Sequence, residues 1–181
     1  MAEIEIKVKV QNMAEVQNRL EEAGCRFSDP IRQEDEIFNN VTGATTFNHP
    51  ANSVIMRIRS SNGKYLLTAK KDRSGELDCV EYEVEVNDPA SARGMIELMG
   101  FTHTVSVKKT RREGRAGDLE ICLDEVDGLG SFMEVEKMSE EDGKKVQSEL
   151  MDFLMKLGVN PADRIFEGYD TMIYEKEHGQ R

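Results

Sequence analysis

The chain has 181 residues, room for one domain with a substantial core, and its charged residues (33%) nearly equal its hydrophobic ones (38%). A net charge of −11 argues against nucleic acid as the main partner, because phosphate backbones call for basic surfaces. No apolar run approaches the roughly 20 residues that span a bilayer and no signal-like segment opens the sequence, so a cytoplasmic protein with no membrane partner is expected.

In chain order the elements read as follows. Glu3-Ile4-Glu5-Ile6-Lys7-Val8-Lys9-Val10 alternates strictly, which predicts a strand over 3–10 with Ile4, Ile6, Val8 and Val10 on one face. The opposite face carries Glu3, Glu5, Lys7 and Lys9. Met13, Val16, Leu20 and Ala23 then recur at helical spacing, and Gly24 suits a left-handed helix end. Strands follow over 34–39, 53–60 and 64–71, the last two joined by the hairpin signal Asn62-Gly63. Arg57 and Arg59 lie opposite Val54, Met56 and Ile58, and Lys70 ends the next strand.

A strand over 79–87 sets Glu81, Glu83 and Glu85 against Tyr82, Val84 and Val86. Asp88-Pro89 opens a second helix through Ala92, Met95, Ile96 and Met99 to Gly100. Placing Val10 on Val86 brings Gly24 onto Gly100 without a gap, so strand, helix and glycine recur as a unit. In 104–112, Lys109 and Arg111 share a face while Lys108 and Arg112 take the other. Strand 117–124 presents Asp118, Glu120 and Asp124, and strand 131–137 sets Glu134 and Glu136 against Met133 and Val135. Ser139 reads as the N-cap of a third helix through Val146, Leu150, Phe153, Leu154 and Leu157 to Gly158. A last helical segment begins at Asn160-Pro161, with Ile165, Tyr169, Met172 and Ile173 as its apolar face. These apolar stripes read as core packing.

Eight strands with short connections make an α+β protein built on an antiparallel barrel or strongly curved sheet, a single domain over 1–175 with a polar tail at 176–181. The charged faces have two readings. An antiparallel sheet commonly wets one face. Several strands here, though, carry almost purely charged faces of both signs, and turned inward they would enclose a charged tunnel. Such a lumen implies internal ion pairs, bound metal and an anionic ligand. Mg2+ or Mn2+ prefer oxygen ligands and often bind through carboxylates together with substrate phosphates, and Arg and Lys offset a polyphosphate's charge. His49, His103 and His178 have no supporting motif, Cys25, Cys79 and Cys122 read as free thiols, and Gly128-Leu129-Gly130 reads as a turn.

The ordered series resembles the CYTH superfamily, the triphosphate tunnel metalloenzymes. It comprises Glu3-x-Glu5-x-Lys7, Arg57 and Arg59 in Ile-Met-Arg-Ile-Arg, and Lys70 in Leu-Thr-Ala-Lys. Glu81-x-Glu83-x-Glu85, Lys109-Thr110-Arg111, Asp124, and Glu134 with Glu136 complete it. Segments 32–38 and 122–130 are similar to the class IV adenylyl cyclase branch. The resemblance implies an eight-stranded antiparallel β-barrel forming a charged tunnel with flanking helices. It also implies metal-dependent conversion of ATP to cyclic AMP and pyrophosphate. The alternatives are hydrolysis of inorganic or thiamine triphosphate, and a non-catalytic polyphosphate- or nucleotide-binding module. Glu3, Glu5, Glu134 and Glu136 would hold Mg2+ or Mn2+. Lys7, Arg57, Lys70, Lys109 and Arg111 would act on the triphosphate, with Lys9 and Arg59 as further cations and Glu81, Glu83 and Asp124 in support. An exposed barrel edge would allow a homodimer. The chain departs from the family at Lys70-Lys71-Asp72, where Lys-Gly-Pro is common, and at Cys79-Val80, where a basic residue is common.

Overall fold

The structure, a computed structural model, describes residues 2–40, 53–72 and 78–179, with the backbone alone at 2, 72, 78 and 79; His49 lies outside these spans. Strand β1 (Ala2–Lys9) leads into helix α1 (Met13–Glu22) and the short β2 (Arg26–Phe27). Strands β3 (Ile31–Asn39), β4 (Val54–Ser61), β5 (Lys64–Asp72) and β6 (Asp78–Val86) precede α2 (Pro89–Leu98). Then come β7 (Thr102–Ala116), β8 (Leu119–Val126), β9 (Gly130–Ser139), α3 (Gly143–Lys156), β10 (Arg164–Ile165) and α4 (Tyr169–Glu177).

Local chemistry sets most of these boundaries. Asn62 and Gly63 both take positive φ (49° and 75°), the tight turn whose twist matches the β4–β5 hairpin. The repeated strand–helix–glycine unit is real. Gly24 and Gly100 sit at φ of 92° and 90°, and beyond them Cys25 N–H donates to the Leu20 carbonyl at 2.9 Å and Phe101 N–H to that of Ile96 at 3.2 Å. Each helix therefore closes on the same left-handed turn.

Two expectations at the C-terminal end need correction. Ser139 does not cap α3: it ends β9, held there by pairing with Ala2, and the cap is Asp142, whose carboxylate accepts from Lys145 N–H at 3.1 Å. The last helical segment is broken into a single turn at Pro161–Asp163, the strand β10 and α4. Arg164 and Ile165 are drawn off because they pair with Val8 and Lys7 along an edge of β1. Helix α4 runs on to Glu177, two residues into the span read as tail.

The long strands pair in the order β1–β6–β5–β4–β3–β7–β8–β9, all antiparallel. The succession returns to its start because β9 pairs with β1 from Ala2–Ser139 to Lys9–Phe132. On its other edge β1 meets β6 at Glu3 and Ile4 alone, and β10 takes over at Lys7. The sheet is thus a strongly curved cylinder with a narrow seam between β1 and β6.

Three apolar clusters hold it. Ile4, Ile6 and Val8 are fully buried with Ile121, Leu123, Met133 and Val135 beneath α1 and α3, which contribute Leu20, Val146, Leu150 and Leu154. Each such aliphatic side chain contributes about 1.5–3 kcal/mol by leaving water. On the outer face of β3 to β5, Phe38 and Ile58 pack under Ala92 and Ile96 of α2. The third cluster is internal. Ile37, Val105, Val107, Val126 and Phe132, which point the same way as the charged residues of their strands, pack against Tyr169, Met172 and Ile173 of α4. One end of the concave face is therefore filled by α4 and the rest is left to the charges. Tyr82 (75% exposed) and Val84 (57%) remain uncovered on the outer face of β6.

Candidate active site

Covering the apolar face of β1 with α1 and α3 turns its charged face inward. Glu5 and Lys7 are buried, whereas Lys9, at the strand end, is exposed. Register then decides which charges meet. Lys7 stands opposite Glu134, Glu5 opposite Glu136, Arg111 opposite Asp124, and Lys70 opposite Glu81. Directly opposed residues have their Cβ atoms about 5 Å apart, within reach of one another's charged ends.

The result is a network of ion pairs round the cavity wall. Asp124, with no exposed surface, accepts from Arg111 Nε at 2.7 Å, Arg111 Nη2 at 2.5 Å and Lys109 Nζ at 3.0 Å. Arg111 also donates to Glu134, whose other oxygen lies 3.1 Å from Lys7 Nζ. Lys7 pairs with Glu5 at 3.3 Å and donates to the Glu167 carbonyl at 3.2 Å. Across the seam Lys70 bridges Glu3 (3.5 Å) and Glu81 (3.1 Å). Arg57 donates to Glu81 at 2.8 Å and to Thr68 at 3.1 Å, and lies 3.5 Å from Glu83. Its buried Nε has no hydrogen-bond partner among the described residues.

Electrostatics separate these groups into two kinds. Burial would lower the Lys7 pKa, but Glu5 and Glu134 outweigh it and raise it, so the ammonium is locked on. Arg111 is likewise raised and Glu134 held well below the usual carboxylate range, burial being overcome by Lys7 and Arg111. Lys109 goes the other way: burial and the adjacent Arg111 lower it despite Asp124, so its charge is incompletely met by the protein. Glu136 is pushed up to about 8, by burial and then by Glu5 and Glu134.

Glu3, Glu5 and Glu136 bring one carboxylate oxygen each within 4.8 Å of one another. Crowded carboxylates, one buried and two half-buried, repel, and a divalent cation between them would replace that repulsion with attraction. An all-oxygen donor set suits Mg2+ or Mn2+. Glu134 is engaged by Lys7 and Arg111, though it also lies with Glu136 and Cys122 in a second such group. Of the cations read from the sequence, Lys7, Arg57, Lys70, Lys109 and Arg111 join the network with Glu81, Glu83 and Asp124, and Arg59 enters through another partner. Lys9 stands outside it, its Nζ 5.9 Å from the Phe132 ring centroid.

Three participants escaped the sequence reading. Asp35 grips Arg59 through both oxygens, at 2.7 and 2.8 Å, and burial notwithstanding its carboxyl is held down to about 2 by that guanidinium. Its signal was available, since Gln33, Asp35 and Ile37 alternate like the other inner faces. Tyr169, read as core, brings its ring to 4.3 Å from Lys7 Nζ and 5.0 Å from Lys109 Nζ. Cys122 is a free thiol buried beside Glu134 and Glu136, raised far above its ordinary pKa by burial; its place between Glu120 and Asp124 in the alternation sets it on their face.

This geometry has relatives. A Methanocaldococcus jannaschii protein named "Putative adenylate cyclase MJ0240" is 30% identical over 175 residues, covering 93% of this chain and 97% of that one. Pyrococcus horikoshii protein PH1819 superposes with a TM-score of 0.78 at 25% identity, covering 96% and 99% of the two chains. HpAC1 from Hippeastrum, described as having a dominant triphosphatase activity, superposes at 0.64 with 18% identity over 97% and 95%. The family model for the CYTH domain matches residues 1–169. Fold, inward-facing charge and sequence match together place this chain in the CYTH domain family.

Proposed function

We propose that the protein is a divalent-metal-dependent enzyme that binds a triphosphate within the curved sheet. We assign it adenylyl cyclase chemistry, ATP going to cyclic AMP and pyrophosphate. The observation that carries this is the juxtaposition of two charge sets in one cavity. Lys7, Arg57, Arg59, Lys70, Lys109 and Arg111 supply the cations, and Glu3, Glu5 and Glu136 stand beside them as an oxygen-only trio. The choice of cyclisation rests on the near-full-length relative bearing the adenylate cyclase name.

Arg57 and Lys109 offer what a bound phosphate needs, an Nε unpartnered among the described residues and an incompletely neutralised ammonium. Arginine forks bind two phosphoryl oxygens at once. Lys7 and Arg111, kept cationic by their carboxylates, would hold the leaving phosphates without moving a proton. Bound Mg2+ or Mn2+ would supply Lewis-acid polarisation of phosphoryl oxygens. Phosphoryl chemistry asks a protein chiefly for this positioning and charge stabilisation.

Hydrolysis of a triphosphate is the second reading, favoured by the shared fold of the Hippeastrum protein and its described activity. Product analysis with ATP, inorganic triphosphate and thiamine triphosphate in Mg2+ or Mn2+ separates the two. Cyclic AMP with equal pyrophosphate upholds the cyclase. Orthophosphate without cyclic product replaces it with a hydrolase, and tight binding without turnover leaves a binding module.

A further inference from the structure

Helix α4 enters the concave face with Tyr169 leading. The tyrosine is buried, with a relative exposure of 7%, and its ring packs edge-on against Phe132 at 5.2 Å between centroids. Lys7 and Lys109 stand over that ring, and the peptide just before it is tethered, since Lys7 also donates to the Glu167 carbonyl. The position of the ring is thus fixed by packing and by two cations. Its hydroxyl is not accounted for: buried and facing the charged interior, it has no hydrogen-bond partner among the described residues. A buried polar group left unmade costs about 1–3 kcal/mol. Phenylalanine would keep the Phe132 contact and both cation–ring contacts without that cost. Burial, and then the nearby Glu134 and Asp124, disfavour ionising the phenol, so it persists as an O–H donor. An anion seated between Lys7 and Lys109 would offer the acceptor.

We infer that Tyr169 is a further substrate-binding residue, its phenol donating a hydrogen bond to an oxygen of the bound triphosphate at the α4 end of the cavity. The inference rests on the triphosphate reading above. It makes α4 part of the binding site, where the helix would otherwise only fill the cylinder.

The test is calorimetric titration of the full chain in Mg2+ with imidotriphosphate, whose bridging nitrogens resist hydrolysis, alongside thermal melts without it. Tyr169→Phe should melt within a few degrees of the parent yet bind the probe roughly ten-fold or more weakly, the scale of one hydrogen bond to a charged acceptor. Tyr169→Leu, which also removes the ring from both lysines, should bind more weakly still. Unchanged affinity in Tyr169→Phe overturns the assignment, and so does a lowered melting temperature with affinity intact, which would make the hydroxyl a purely structural group. If the parent itself fails to bind imidotriphosphate, the triphosphate reading falls and this one with it.

Discussion

Replacing Asp124 by asparagine tests whether the inner wall is an integrated charge network. Asp124 has no exposed surface and neutralises two buried cations at once, Arg111 at 2.5 and 2.7 Å and Lys109 at 3.0 Å. Asparagine keeps the volume and one acceptor but removes the charge, so both cations would be left short of a counter-ion, Lys109 most, since Arg111 retains Glu134. Breaking a buried pair on one side costs about 3–5 kcal/mol, and the retained acceptor puts Asp124→Asn near the lower figure. For a chain of this length each kcal/mol moves the midpoint by about 2–4 °C, so thermal unfolding followed by circular dichroism should show a drop of about 6–12 °C. Inorganic triphosphate should recover part of that loss, stabilising the variant more than the parent because it restores the missing negative charge. A drop under about 2 °C, or equal stabilisation of both proteins, would refute the idea that Asp124 holds the cavity's cations in place.

Acid should loosen the wall in a defined window. The Asp35 carboxyl is held down to about 2 by Arg59, so its contribution of about 2 kcal/mol is complete above the ordinary carboxylate value near 3.8 and disappears as pH falls through 2; urea unfolding of Asp35→Asn should lose that slope. Glu136→Gln should raise stability without metal at pH 7, since a carboxyl raised to about 8 must take up a proton on folding there and the amide need not. The gain should shrink as pH falls toward the ordinary carboxylate range, and a variant no more stable than the parent would contradict that burial. The same variant should lose most of the thermal stabilisation by Mn2+, which for the parent at a hundred times its dissociation constant is about 2.7 kcal/mol. An undiminished Mn2+ shift would remove Glu136 from the metal-binding set. Leu150→Ala, at a 1% exposed position under α3, should cost about 2–5 kcal/mol in unfolding free energy while imidotriphosphate affinity in the folded protein stays the same.

What was legible in the chain was most of what depends on neighbours in sequence, the Asp142 cap being an exception. Period-two alternation in 3–10 and 131–137 marks strands that split charge from hydrocarbon. Helical spacing stopped by Gly24 and Gly100 marks the covering helices, since only a residue at ease with positive φ closes those turns. The spaced pairs of Glu, Arg and Lys were sufficient to point to the family.

Other features were not legible because their energy lies between distant segments. Alternation alone is neutral as to which face turns inward; burial of Ile4, Ile6 and Val8 under α1 and α3 decided it, at several kcal/mol. Any register satisfies the backbone ladder of an antiparallel pair, so the meeting of Lys7 with Glu134, or Arg111 with Asp124, required the assembled sheet. Asp35 is hard to single out because Glu34 and Glu36 make the other face of its strand acidic too, and Tyr169 because an aromatic on a helical stripe looks the same whether it packs on hydrocarbon or on two lysines. The sequence by itself determined the eight long strands, the first three helices and the kinds of charge available. Only the tertiary structure decided which charges share a cavity, because the cost of removing them from water falls due when the sheet curls and α4 closes one end.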